Sequence, residues 1–351
     1  MKRIGNLMQK MLTEENFILA EKLLGKNKPD NRKARHIAKH AEEYGCKLLE
    51  KIKSGVFAWH EPKETTITES YKKKKRNLKI PCLEDQAAQV AWLNIAIPII
   101  EKRNYYYNCG SIPNAGQTRA VNAVKKWLKD PRQKYGATSD IRKFYETCPH
   151  WVIRKGLYRI FKDCEFVEYA MGFTASMSKN GVGIAIGYPV SHWLANVALM
   201  ELDHEMRRMF PDVHYVKYMD DIVLTSTNKR HIKKAMLFIK TWVEDHGMRL
   251  KKYSWFKIKG RGITFLSYRF FNGYTLLAKP LMTRIARRIR NASKHMSAHV
   301  AAGVMSYLGI LKHCDSYNFR VKYVYPHINK KTCAKLISKQ SKNENRNHRQ
   351  R

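Results

Sequence analysis

Residues 213–224 constrain this chain more tightly than any other stretch. The run Val213-His214-Tyr215-Val216-Lys217 leads into Tyr218-Met219-Asp220-Asp221, and Ile222-Val223-Leu224 follows. β-Branched and aromatic residues crowd both flanks, which predicts two short strands joined at the acidic pair. A hairpin turn then holds two ionised carboxylates side by side, where they repel unless a cation lies between them. Two readings stay open on these residues alone. One is an ordinary solvated Asp-Asp turn; the other is a seat for paired divalent metals of the kind that serves phosphoryl transfer.

Charge narrows the choice of partner. The 67 Lys and Arg against 29 Asp and Glu give a formal net charge of +38, which calls for a polyanion, nucleic acid first. An anionic membrane surface fits less well, because the basic residues are spread along the chain and not gathered on one amphipathic helix. The 19 Tyr and 7 Trp offer rings on which bases can stack, although most belong to a core. A length of 351 residues suggests two or three subdomains. The cysteines (46, 82, 109, 148, 164, 314 and 333) are scattered, odd in number and free of CxxC pairs. They predict reduced thiols, with no zinc ribbon and no disulfide framework. The N-terminus leads into no apolar signal core, and the apolar run at 95–100 is too short to span a bilayer. The expectation is a cytoplasmic protein with no membrane partner.

Periodicity gives a coarse map. Residues 5–60 read as helical, with Leu19, Leu23 and Leu24 at apolar spacing and a break at Pro29-Asp30-Asn31. The basic run Lys72 to Arg76 reads as a solvated loop before the alternating Asn77 to Pro81. Residues 84–103 predict a helix with a buried face, and residues 135–145 resemble a strand ending on Asp140. Further helices are expected over 151–161, 191–209 and 229–246, the last closed by Gly247. Residues 181–189 form a Gly-punctuated loop, and 262–270 read as one strand. From Pro280 the chain turns helical and basic, with Arg284, Arg287, Arg288 and Arg290 beside an Ile285 and Ile289 stripe. Beyond about 338 there is little to bury, which predicts a flexible tail.

A two-metal site needs a third carboxylate from a neighbouring strand. Asp140 is the best candidate, although an Asp at a strand end also reads as a helix cap. At this point a resemblance becomes plain. Ser139-Asp140-Ile141-Arg142-Lys143-Phe144-Tyr145, Ile186 to Asn196, Tyr218-Met219-Asp220-Asp221 and Gly262 to Arg269 resemble, in order and spacing, motifs A, B and C of reverse transcriptases and the segment beyond them. The resemblance covers roughly residues 70–325. It implies an α+β right-hand polymerase fold of fingers, palm and thumb, with an antiparallel palm sheet backed by helices. The corresponding division is a helical extension over 1–60, fingers and palm over 61–270, a basic helical thumb over 271–330 and a basic tail over 331–351.

The resemblance also implies roles. Asp140, Asp220 and Asp221, with the main-chain carbonyl of Ile141, would hold two Mg²⁺ ions, for which Mn²⁺ can substitute. Tyr145 would lie under the incoming sugar and exclude a 2′-hydroxyl, though it also reads as a core aromatic. Arg76 and Lys79 would grip the triphosphate, Gly187 would let backbone approach the nascent base pair, and Lys251 or Lys252 would stand near the leaving pyrophosphate. Arg284, Arg287, Arg288 and Arg290 would hold the duplex by its phosphates.

Ile186 narrows the type. Most retroviral and group II intron enzymes carry Gln there, whereas an apolar residue resembles reverse transcriptases of diversity-generating retroelements from bacteria and their phages. Asn108-Cys109-Gly110-Ser111, Ser306 to Gly309 and His313 to Asn318 are similar to that group, while His192 and Glu146-Thr147-Cys148 depart from it. The resemblance implies dNTP substrates, an RNA template copied with errors at adenines, a cDNA/RNA duplex, a structured non-coding RNA and a small basic oligomeric accessory protein. The tail is too short for a nuclease, maturase or integrase domain. Two alternatives stay open: an anti-phage defence reverse transcriptase, and a non-catalytic, maturase-like RNA-binding protein.

Overall fold

The computed structural model describes residues 3–68, 75–178, 180–251 and 254–349. The first helices are α1 (Leu7–Met11), α2 (Glu14–Asn27), α3 (Arg32–Lys39) and α4 (Ala41–Lys53). Polar caps set their starts: Thr13 accepts from the Asn16 N–H and Asn31 from the Ala34 N–H, so the break at Pro29 to Asn31 falls where expected. The buried stripe of α2 is Phe17, Ala20 and Leu24; Leu19, expected inside, is exposed. Strands β1 (Lys63–Thr68) and β2 (Lys75–Ile80) pair antiparallel, with Lys63 opposite Ile80 and Glu64 opposite Lys79. The end of the basic run, Lys75 and Arg76, therefore belongs to a strand and not to a loop; Lys72–Lys74 lie outside the described residues.

The chain continues through α5 (Leu83–Arg103), α6 (Gly116–Leu128), β3 (Tyr135–Asp140), α7 (Phe144–Thr147), α8 (His150–Ile160), α9 (Cys164–Met177) and α10 (Ser191–Met209). Next come β4 (His214–Tyr218), β5 (Asp221–Ser226), α11 (Lys229–Asp245), β6 (Ser254–Lys257) and the single turn α12 (Ile258–Arg261). The last elements are β7 (Ile263–Phe265), β8 (Tyr268–Phe270), β9 (Thr275–Leu277), α13 (Lys279–Lys294), α14 (Ala298–Leu311), α15 (Tyr317–Tyr323) and α16 (Lys330–Arg349). One sheet has the order β4-β5-β3-β6, and β3 pairs antiparallel with β6. A second, β7-β8-β9, is antiparallel throughout.

Two sequence expectations are corrected here. Residues 262–270 are two strands and not one, because Leu266 and Ser267 both adopt positive φ (48° and 71°) and turn the chain back. The expected tail is the helix α16, whose Cys333 is fully buried and whose Leu336 and Ile337 are half-buried. Those apolar residues at i, i+3 and i+4 suffice to seat a segment otherwise rich in good helix formers.

The chain divides into two compact units. One comprises Met1–Gly116, Ser139–Ile222 and Lys233–Tyr253; the other comprises Gln117–Thr138, Val223–Ile232 and Ser254–Arg351. In the first, Phe17, Leu24, Leu48, Leu49, Ala88 and Ala91 form one core cluster, and Trp92 stacks on Phe166 with ring centroids 5.2 Å apart. All the acidic site residues belong to this unit.

Candidate active site

Asp140 is the last residue of β3, and residues just before β6 hold it in place. The Lys251 N–H donates to the Asp140 carbonyl at 2.8 Å, and the Arg142 N–H donates to the Arg249 carbonyl at 2.7 Å. These bonds flank the bridge between Ile141 and Leu250, so Ile141 directs its own N–H and C=O away from that partner. The same pairing brings Lys251 alongside, and its Nζ donates to Asp140 Oδ2. Asp140 Oδ1 is buried and has no hydrogen-bond partner among the described residues.

Asp220 and Asp221 sit at the turn between β4 and β5, where Met219 takes the left-handed conformation (φ 58°). The turn rests on a segment whose part was not legible in the sequence. The Cys109 N–H donates to the Lys217 carbonyl at 2.8 Å, and the Lys217 N–H donates to the Tyr107 carbonyl at 3.0 Å. Gly110 then comes so near that a Cβ on it would lie 2.4 Å from the Met219 nitrogen. Asn196 of α10 fixes this segment by donating to the Gly110 carbonyl at 2.9 Å and accepting from Asn108 at 3.0 Å.

The carboxylates form one coupled cluster. Burial first, and the Asp140 charge among further causes, raise the Asp220 carboxyl above its ordinary range; Lys251 and Arg76 oppose this. The Lys251 ammonium is raised, first by its hydrogen bond to Asp140 and then by the charges of Asp140, Asp220 and Asp221. Lys251 thus neutralises part of a concentrated negative charge. The aspartates do not present three oxygens within 4.8 Å of one another. Two ions about 4 Å apart need a wider cradle than a single ion does.

Beside the aspartates, and within the same unit, lies an open cleft of about 560 Å³ lined by Arg76, Lys79, Tyr145, Gly183, Ile184 and Ile186. The Lys79 ammonium reaches across the β1–β2 hairpin to Glu64 at 3.2 Å, and its N–H donates to the Ile186 carbonyl at 2.9 Å. Gly187 has φ 120°, and a Cβ there would meet the Lys79 carbonyl oxygen at 2.4 Å. The close β2 backbone therefore requires a glycine at this position. Burial, then the Asp220 charge, push the Tyr145 hydroxyl up, so it stays protonated. His192 is half-buried, and desolvation lowers its pKa, so it is neutral near pH 7. Lys252 lies outside the described residues. Arg284, Arg287, Arg288 and Arg290 lie on α13 in the other unit; Ile285 and Ile289 are buried there, while Arg287, Arg288 and Arg290 are exposed.

Comparison with known proteins decides the family. The family model described as reverse transcriptase (RNA-dependent DNA polymerase) matches residues 62–270, more than half of the chain. The chain belongs to the reverse transcriptase family. No curated protein matches it. Among solved structures, this reverse transcriptase is similar to apo telomerase from Candida tropicalis, at 11% identity and TM-score 0.50, over 73% of this chain and 54% of that one. It also matches telomerase from Candida albicans in complex with a fragment of telomeric RNA, at 10% identity and TM-score 0.49, over 75% and 56%. The chain thus spans little more than half the length of the solved chains it matches. With the family match, the Candida tropicalis likeness bears out the expected fold, an α+β right-hand polymerase fold with antiparallel sheets.

Proposed function

We propose that this reverse transcriptase synthesises DNA on an RNA template by two-metal nucleotidyl transfer at Asp140, Asp220 and Asp221. The observation that carries the reading is the buried Asp140 Oδ1, which lacks a partner among the described residues, beside an Asp220 raised by burial and by its neighbour. An acidic cluster with a vacant, desolvated oxygen fits hard divalent cations, which take oxygen ligands. Mg²⁺ bound there, or Mn²⁺ in its place, would activate the primer hydroxyl and offset triphosphate charge. Asp140 and Asp221 would hold the ions from the ends of β3 and β5, and Asp220 from the turn. Lys251 would release Asp140 as the ions enter and turn toward the departing pyrophosphate. Arg76 and Lys79 would take the triphosphate, Lys79 by leaving Glu64. Tyr145 would present its ring to the sugar and leave no space for a 2′-hydroxyl.

Asp220→Ala with Asp221→Ala is expected to abolish cDNA synthesis while RNA binding persists. Synthesis that survives would overturn the metal assignment, and lost RNA binding would point to misfolding instead.

The finer role proposed is that of a diversity-generating retroelement. The enzyme would copy a template-repeat RNA with errors at adenines, together with a structured RNA and a small basic accessory protein. Ile186 supports this, because an apolar side chain lines the cleft where a hydrogen-bonding Gln would penalise a wrong pairing geometry. Ile186→Gln is expected to lower misincorporation at adenine, scored by sequencing cDNA from co-purified RNA. An unchanged error spectrum would remove the support and leave the defence role as the better reading.

A further inference from the structure

The hairpin β1–β2 begins and ends beside α5. His60 precedes β1, Cys82 follows β2 as the N-cap of α5, and Asp85 stands in the first turn of that helix. Antiparallel pairing of Lys63 with Ile80 closes the hairpin, so residues far apart in sequence become neighbours at its base. Their donor atoms converge. His60 Nδ1 lies 2.7 Å from Asp85 Oδ1 and 3.5 Å from Cys82 Sγ, and all three atoms lie within 4.8 Å of one another. We propose that His60, Cys82 and Asp85 form a binding site for one Zn²⁺-class cation, distinct from the catalytic aspartates and independent of the nucleotidyl-transfer reading.

Three observations carry this. First, the same imidazole nitrogen faces both the thiol and the carboxylate. A nucleophilic Cys-His-Asp relay uses opposite ring nitrogens, one for each partner. Convergence on one nitrogen describes instead a shared point that three donors can ligate. Second, the carboxylate is pre-oriented. Asp85 is fully buried, and its Oδ2 accepts the His60 backbone N–H at 3.0 Å, which leaves Oδ1 turned toward the thiol and the ring. A buried carboxylate needs a compensating charge. The facing His60 ring supplies one only if protonated, and Lys51, which reaches the start of α5, pairs instead with Glu84 at 2.6 Å. Third, the spacing is close to what the metal needs. Zinc bonds of about 2.0–2.3 Å in a tetrahedron place donors about 3.3–3.8 Å apart. The nitrogen–sulfur separation already meets this, and a small rotation of the half-exposed imidazole opens the other.

The donor set fixes the class of ion. A thiolate with an imidazole disfavours Mg²⁺ and Ca²⁺, which take oxygen, and suits Zn²⁺. Cys82 and His60 are exposed, so water takes the fourth position. Binding releases the Cys82 thiol proton to solvent and moves the imidazole proton from Nδ1 to Nε2, so charge and protons balance. The ion would tie both ends of the hairpin that carries Arg76 and Lys79 to the start of α5.

The test titrates Co²⁺, then competing Zn²⁺, into chelator-treated full-length protein, with excess Mg²⁺ present to fill the aspartates. Wild type is expected to show a thiolate-to-cobalt charge-transfer band saturating at one equivalent and displaced by Zn²⁺. Cys82→Ser should lose the band and His60→Ala should weaken binding by roughly tenfold or more. Serine is itself a favoured N-cap, so the first variant should keep α5, as circular dichroism would show. In wild type, Zn²⁺ should also protect Cys82 from alkylation, mapped by mass spectrometry. No band in wild type, an equal band in Cys82→Ser, or Cys82 labelling indifferent to Zn²⁺ would each overturn the proposal.

Discussion

Lys217 lies in β4, just ahead of the turn that holds Asp220 and Asp221, with its side chain fully buried against an equally buried Asp203 of α10. The two charges meet at 2.9 Å but out of line for a hydrogen bond, and the Tyr215 hydroxyl donates to the other Asp203 oxygen at 2.7 Å. Burial pushes the Asp203 carboxyl up and the Lys217 ammonium down, while each charge opposes the other's shift. Desolvation roughly cancels attraction in such a pair, so its worth lies in what happens when one partner is lost. Lys217→Met is expected to cost about 3–5 kcal/mol in urea unfolding, because it strands a buried carboxylate. Adding Asp203→Asn should recover part of that loss, since a neutral amide still accepts the Tyr215 hydroxyl. Equal losses in the single and double variants would assign the cost to packing alone. The pair was hidden in the sequence because a lysine among β-formers reads as surface, and its partner lies in another element. Asp140, Asp220 and Asp221 were legible because each sits at the edge of a strand whose own residues announce it.

The element that best shows a buried charge acting on folding is α2. Glu21 is only 4% exposed, and its Oε2 has no hydrogen-bond partner among the described residues. Burial chiefly, and the Glu84 charge second, push its carboxyl up to about 7 from an ordinary 4.5. A carboxyl raised on folding stabilises the native state fully below its unfolded value, and that stability is lost as pH rises through the folded value. Thermal melts of wild type should therefore fall from about pH 4.5 to beyond pH 7. Glu21→Gln should flatten that fall and raise the melting temperature at pH 8; an unchanged pH slope would clear Glu21 of the effect. Elements such as α10 and α11 were legible because strong apolar periodicity and clear end signals bound them. Polar β1 and short β6 were not, since neither has a patterned face long enough to read. Residues 262–270 misled for the opposite reason. Apolar alternation runs through Leu266 and Ser267, and only their positive φ reveals the turn.

For the whole molecule, a net charge of +38 makes electrostatics the main sequence-independent contribution to nucleic-acid binding. Each phosphate neutralised releases condensed counterions, so log K falls with log salt by about 0.7–0.9 per contact. Arg287, Arg288 and Arg290 are exposed on α13 and present cations along one helix. If they hold duplex phosphates, replacing all three with Ala should shallow the salt slope by about 2–3 for an RNA/DNA hybrid, read by anisotropy between roughly 50 and 300 mM salt. Binding should weaken about equally for hybrids of any sequence, because phosphate contacts carry no base information. The Asp220→Ala, Asp221→Ala variant should bind at least as tightly as wild type, since it loses two negative charges and no cation. A triple-arginine variant with an undiminished slope would move the duplex off α13. The excess charge would then have to act through basic residues elsewhere in the chain.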